Sequence, residues 1–161
     1  MQTIRLICVG KCNMRCLAEG TAEYARRLSA FADFAVVEIP EQTVQEKNAS
    51  PAAIEKALEK EGRAILAAVP KGAALVALCI EGKMLSSEEL AQYLDERAGS
   101  GAASVAFVIG SSHGLSPEVK AAAALRFSMG RITMPHQLAR LVLAEQIYRA
   151  CTILHGMKYH K

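Results

Sequence analysis

No run of this sequence approaches the ~18 apolar residues that a membrane-spanning helix requires. The first residues, MQTIRLICVGKCN, lack the apolar core and the cleavage site of a secretion signal, so a cytoplasmic protein is expected. Repeats, low-complexity tracts and domain linkers are missing as well, which leaves one domain over residues 1–161. The five cysteines are an odd count, and without a secretion signal they do not suggest a disulfide framework. Cys8, Cys12 and Cys16 stand four apart, but Cys8 falls in a predicted strand and Cys16 in a predicted helix, with no fourth ligand nearby. No metal site is expected, and buried thiols of this kind behave as small hydrophobes. A G-x-G-x-x-G fingerprint is also absent, which argues against a nucleotide-dependent oxidoreductase.

What is present is a sizeable core and an uneven charge. Hydrophobic residues make up 52% of the chain, and a domain of this length buries roughly 70% of its unfolded surface. The net charge is only +3. From Arg126 onward, however, Arg126, Arg131, Arg140, Arg149, Lys158 and Lys161 stand against a single acid, Glu145. Such a basic C-terminal third is either a scattered solvated surface or a surface for a polyanion, and beside a ligand-binding loop it suits nucleic acid.

The hydrophobic pattern alternates strands with helices. Ile4–Val9, Phe34–Ile39, Ala73–Ile80 and Ser104–Ile109 read as strands, the last two as continuous apolar runs of the kind found inside parallel sheets. Helices are predicted over Arg15–Leu28, from Ser50-Pro51 to about Val69, and from a Ser86/Glu89 capping box to about Gly99. A further helix is expected from Ser116-Pro117 to about Leu125, then a short strand over Arg131–Met134, and a final helix over His136–Leu154. The segment Glu41–Ala49 is polar and reads as a mobile loop. Together these elements predict an α/β fold, with a mostly parallel sheet and helices on both faces. Ligands of such folds bind beyond the carboxyl ends of the strands, here Leu78–Gly82, Gly110–Gly114 and Gly130–Pro135. The glycines there either only shape turns or let the backbone approach a ligand.

Residues 104–161 carry a resemblance. Phe107-Val108-Ile109-Gly110 with Gly114-Leu115-Ser116, then Thr133-Met134-Pro135-His136, Arg140 to Ala150, and Tyr159-His160 resemble the SPOUT class of RNA methyltransferases. The closer similarity is to the small ribosomal RNA pseudouridine N3-methyltransferases of the RlmH type. Weaker similarity at Val9-Gly10, Glu23-Tyr24, Glu38-Ile39-Pro40 and Gly82-Lys83 extends it over the whole chain. One departure is Ser111, where the family usually has a second glycine.

The resemblance implies a C-terminal trefoil knot, which pattern reading alone would not propose. It also implies S-adenosylmethionine as cofactor, a homodimer, and 23S ribosomal RNA in the assembled ribosome as substrate. Leu78, Gly110, Gly130, Arg131, Ile132, Thr133, Met134 and Pro135 would bind the cofactor. His136, Arg140, Arg149, Tyr159 and His160 are the candidates for the chemistry, with no role assigned to any of them. The last helix is apolar on most sides, which suggests that one side faces the sheet and the other a second subunit. The tail bearing Tyr159 and His160 either frays or closes over the cofactor. Rival readings are a SPOUT enzyme acting on transfer RNA and a non-catalytic ribosome-binding or assembly protein.

Overall fold

A computed structural model describes residues 1–101 and 104–161. Five strands, β1 (Gln2–Val9), β2 (Ala32–Ile39), β3 (Ala74–Met84), β4 (Ser104–Ile109) and β5 (Leu125–Ser128), form one sheet in the order β2-β1-β4-β3-β5. Every paired neighbour is parallel. Parallel strands need crossovers, and the helices α1 (Arg15–Leu28), α2 (Pro51–Ala68), α3 (Ser87–Gly99) and α4 (Pro117–Ala122) provide them. The last helix, α5 (His136–Leu154), follows β5 and packs against α1 and α3.

Side chains alternate across each strand, and the core is therefore double. On one face Ile4, Leu6 and Cys8 of β1 meet Val105, Phe107 and Ile109 of β4, covered by α1, α3 and α5. On the other, Ile7 and Val9 meet Ala106 and Val108, covered by α2 and α4. Phe107 is fully buried at the centre of the first layer, a position worth about 2–3 kcal/mol of apolar burial. The predicted helix on each face is thus present. Local chemistry agrees with the sequence at the starts of the helices. Ser50 accepts the Ala53 N–H with Pro51 behind it, and Ser86 and Glu89 close the expected capping box, at 3.1 and 2.7 Å.

One expectation needs correction. The helix beginning at Pro117 stops at Ala122, and the strand that follows is Leu125–Ser128 rather than Arg131–Met134. The alanine tract Ala121–Ala124 has strong helix propensity. Tertiary pairing overrides it: Ala124 N–H bonds the Leu75 carbonyl at 2.9 Å, and Leu125, Arg126 and Phe127 pair with Val76, Ala77 and Leu78 of β3. Arg131–Met134 has no strand to join and lies open, with Ile132 81% exposed. One side of α5 is covered within the same chain: Ile147 is fully buried in the core, and Leu141 fills the space that a Cβ at Gly20 of α1 would need, whereas Leu138 and Val142 are half-buried and Leu154 is 41% exposed.

β3 runs past the expected end and meets β5 again after a register break, with Lys83 opposite Phe127 and Met84 opposite Ser128. Between these pairings the backbones nearly touch. A Cβ at Gly82 would lie 2.7 Å from the carbonyl carbon and oxygen of Arg126. Backbone cannot yield as a flexible side chain can. Replacement of Gly82 by valine is accordingly expected to cost about 2 kcal/mol or more, read as a lowered midpoint in thermal or urea unfolding.

Candidate functional site

The carboxyl ends of β3, β4 and β5 enclose a cleft of about 280 Å³. Leu78, Ile109, Leu115, Phe127, Met129, Ile132 and Met134 give it apolar walls, and Gly110, Gly114 and Gly130 bring backbone to its surface. The two glycine turns are built differently. Gly114 and Gly130 have φ of +88° and +131°, which L side chains rarely adopt. Gly110 is instead demanded by crowding, because a Cβ there would lie 2.3 Å from the Gly114 carbonyl oxygen. A larger residue at 110 would therefore distort the turn itself, before any question of ligand approach. Ser111, the departure from the family pattern, is accommodated without strain, since no non-glycine residue has positive φ among the described residues. It closes the turn by accepting the Gly114 N–H at 2.9 Å.

Of the residues expected to bind a cofactor, Leu78, Gly110, Gly130, Ile132, Thr133 and Met134 border this cleft. Arg131 and Pro135 lie in the same loop without forming its wall. Pro135 serves as the N-cap of α5, its carbonyl accepting the Ala139 N–H at 2.9 Å. Among the described residues, the backbone from Arg131 to Met134 forms no hydrogen bond to the rest of the chain. Its N–H and C=O groups are left to read the polar edge of a ligand seated against the apolar wall. Sequence reasoning missed Phe127, Ser128 and Met129, because it placed the strand at Arg131–Met134, beyond them. The alternation Leu125-Arg126-Phe127-Ser128 ahead of Gly130 is the signal that could have found them. On the rim, Lys120 pairs with Glu81 at 2.5 Å and holds that carboxyl below its usual range.

The candidates for chemistry separate into three places. His136 opens α5 and borders the cleft. Arg140, one turn on, is 2% exposed and points the other way. It donates to Glu38 Oε1 at 2.7 Å and to the Gly10 carbonyl at 2.9 Å. Gln137 accepts the Asn13 and Met14 N–H groups at 2.9 and 3.2 Å. The start of α5 thereby holds the loop between β1 and α1. Arg149, Tyr159 and His160 form the third group, which the structure brings together although none borders the cleft. Glu145 accepts from Arg149 at 2.5 Å and from the Tyr159 hydroxyl at 3.0 Å. The Arg149 guanidinium lies 4.7 Å from the centre of the Tyr159 ring, and His160 Nε2 stands 2.8 Å from Glu88 on α3. Burial first, then the Tyr24 and Glu145 contacts, push the Tyr159 hydroxyl up, so it remains a donor. The tail is thus anchored, and the Glu145–Arg149 pair is its hub rather than an isolated helix ion pair.

Of the cysteines, only Cys79 borders the cleft. Burial pushes the Cys8 thiol up to about 12 and Cys151 to about 11, so neither is a nucleophile at neutral pH. All five are free thiols. Among the described residues no cluster of His, Cys, Asp or Glu is arranged to hold a metal, and no helix is long and apolar enough to cross a membrane.

The Arg140 anchorage makes an asymmetric prediction. Glu38→Ala strands a buried guanidinium and should cost about 2–3 kcal/mol, toward the low end because Glu38 itself is 41% exposed. The double variant Glu38→Ala/Arg140→Met, which removes the charge as well, should be less destabilised than Glu38→Ala alone. Urea titrations of the three proteins provide the comparison.

Comparisons with known proteins agree with this geometry. A family model described as "Predicted SPOUT methyltransferase" matches residues 1–160. Proteins named ribosomal RNA large subunit methyltransferase H are similar over almost the full length of both chains. That of Ligilactobacillus salivarius is 49% identical over 98% of this chain and 99% of its own, and that of Carboxydothermus hydrogenoformans 48% over the same shares. Among solved structures, a probable methyltransferase from Bordetella pertussis superposes with a TM-score of 0.53 at 18% identity, covering 93% of this chain and 96% of its own. That likeness speaks for the fold alone. A family match over nearly every residue, together with relatives close to half identical end to end, establishes that this chain belongs to the SPOUT methyltransferase family.

Proposed function

We propose that the protein transfers the methyl group of S-adenosylmethionine to N3 of a pseudouridine in large-subunit ribosomal RNA, acting as a cytoplasmic homodimer on the assembled ribosome. The observation that carries this reading is the cleft at three parallel strand ends. Its apolar walls suit an adenine ring, and the unpaired backbone of Arg131–Met134 suits the ring's polar edge. The relatives are named for methylation of large-subunit ribosomal RNA, which supports that substrate class here. A trefoil knot in the C-terminal part is part of the proposal.

S-adenosylmethionine supplies an electrophilic methyl on a sulfonium, so the protein needs to supply placement more than covalent chemistry. Leu78, Ile132 and Met134 would enclose the adenine, with Gly110 and Gly130 allowing the backbone to close in. The N3 position of a uracil-like ring carries a proton at neutral pH, and that proton must leave, or the developing anion must be stabilised, as the N–C bond forms. His136, half-buried at the cleft, is the group of this chain nearest to that task. The Arg149–Tyr159–His160 cluster lies outside its own cleft, and a second copy is what would bring it to one. In that arrangement Arg149 and the tail contact the RNA, and Tyr159, held as a donor by Glu145, adds an aromatic face.

Incubation of purified ribosomes with labelled S-adenosylmethionine, followed by mapping of the modified base, tests the reaction. Label in transfer RNA alone would overturn the substrate, and absence of cofactor binding in calorimetry would overturn the enzyme. Removal of Tyr159 to Lys161 should slow single-turnover methylation of ribosomes by about tenfold or more while changing cofactor affinity little, because phosphate and base contacts are lost but the cleft is not. A truncated enzyme that methylates at the normal rate would show the tail to be packing only.

A further inference from the structure

The cleft has a charged rim that the chemistry above does not use. Its walls are apolar and its turns are backbone. Among the described residues that border it, Glu81 and Lys120 are the only acidic and the only Lys or Arg side chain. They come from separate elements. Glu81 lies in β3 between its two pairings with β5, a stretch whose Cys79, Ile80 and Glu81 all border the cleft. Lys120 lies in α4, after β4, and its Nζ stands 2.5 Å from Glu81 Oε1. β5 supports the backbone on both sides. Gly82, next to Glu81, packs against the Arg126 carbonyl so closely that a Cβ there would lie 2.7 Å away. Arg126 Nε in turn donates to the Lys120 carbonyl at 3.1 Å.

As a stabilising contact the pair is weak. The Glu81 side chain is 56% exposed and that of Lys120 28%, and exposed ion pairs contribute little once water screens them and two long side chains lose their freedom. What the position does offer is an anion and a cation side by side at the edge of an apolar cleft. The size of the cleft bears on what meets them. About 280 Å³ falls just below the ~300–1,000 Å³ of pockets that bury most of a small ligand. S-adenosylmethionine has two unlike halves, a nucleoside with a flat base and an amino acid that is a zwitterion at neutral pH. An apolar cleft of this volume suits the nucleoside. Charged groups are costly to bury without partners, so the zwitterion is best held at the rim, where it keeps water and finds a complementary pair.

We propose that Glu81 and Lys120 receive the amino-acid end of S-adenosylmethionine, the Glu81 carboxylate accepting from its α-ammonium and the Lys120 ammonium donating to its α-carboxylate. The assignment rests on the reading of the cleft as the S-adenosylmethionine site. Binding exchanges one internal ion pair for two charge-assisted contacts with the ligand. Both residues hold the cofactor and take no part in proton transfer.

Calorimetric titration with three ligands tests the assignment. S-adenosylmethionine carries both the amino-acid end and the sulfonium charge, S-adenosylhomocysteine keeps the amino-acid end without that charge, and 5′-methylthioadenosine has neither. Glu81→Gln and Lys120→Met should each weaken binding of the first two about fivefold, and leave the third within about twofold of the intact protein. Unchanged affinity for 5′-methylthioadenosine also shows that the cleft of each variant is folded. Loss confined to S-adenosylmethionine would assign the pair to the sulfonium and overturn the proposal. Equal losses for all three ligands would make the pair a support of the cleft wall, which overturns it as well. An intact protein that binds none of the three rejects the cleft reading and the assignment together. Variants that bind all three as the intact protein does reject the assignment alone, and leave the pair a surface contact.

Discussion

A parallel sheet cannot leave a face in water, because its crossover helices return over it and its strands are apolar on both sides. In this chain that constraint distributes everything else. β1 and β4, at the centre, send Ile4, Leu6, Cys8, Phe107 and Ile109 to one layer and Ile7, Val9, Ala106 and Val108 to the other. Three helices are needed over the first layer and two over the second. Because all strands run the same way, the loops after β3, β4 and β5 emerge at the same end. The cleft is a consequence of that shared direction, and its apolar wall is the end of the core reaching the surface.

α5 then decides how the site is assembled. Its first turns do two things at once. His136 and Ala139 complete the cleft, while Gln137 and Arg140 grip the loop between β1 and α1. Its later turns anchor the tail through Glu145 and Arg149. One helix therefore couples the cofactor cleft, the N-terminal loop and the C-terminal residues. Relative placement among them is as rigid as a helix buried between α1 and α3 can make it.

The electrostatics follow the same logic. Counted in the sequence, the C-terminal third looks strongly basic. In the fold, Arg140 is consumed by Glu38, Arg149 by Glu145, and Arg126 donates to the Lys120 carbonyl. Much of the apparent attraction for a polyanion is thus internal. Among the described residues, Arg131, Lys158 and Lys161 form no ion pair, and they are the cations of this third best placed to meet phosphate.

Sequence by itself determined the α/β class, four of the five strands, the starts of α2, α3 and α4 and the loops that carry the cleft. Those features are written locally: apolar runs of strand length, Ser-Pro and Ser-x-x-Glu caps, and glycines whose φ admits little else. The identity of β5 was not legible, because an alanine tract favours helix until a neighbouring strand offers its carbonyls, as Leu75 does to Ala124. The employment of Arg140 was not legible either. Its position one turn past His136 suggested a shared face, but 3.6 residues per turn puts it slightly around the helix, and an acceptor at Glu38, 102 residues away in sequence, claims it. Tertiary structure alone could decide these, because burial removes water as the alternative partner and leaves each polar group to whatever the fold has placed beside it.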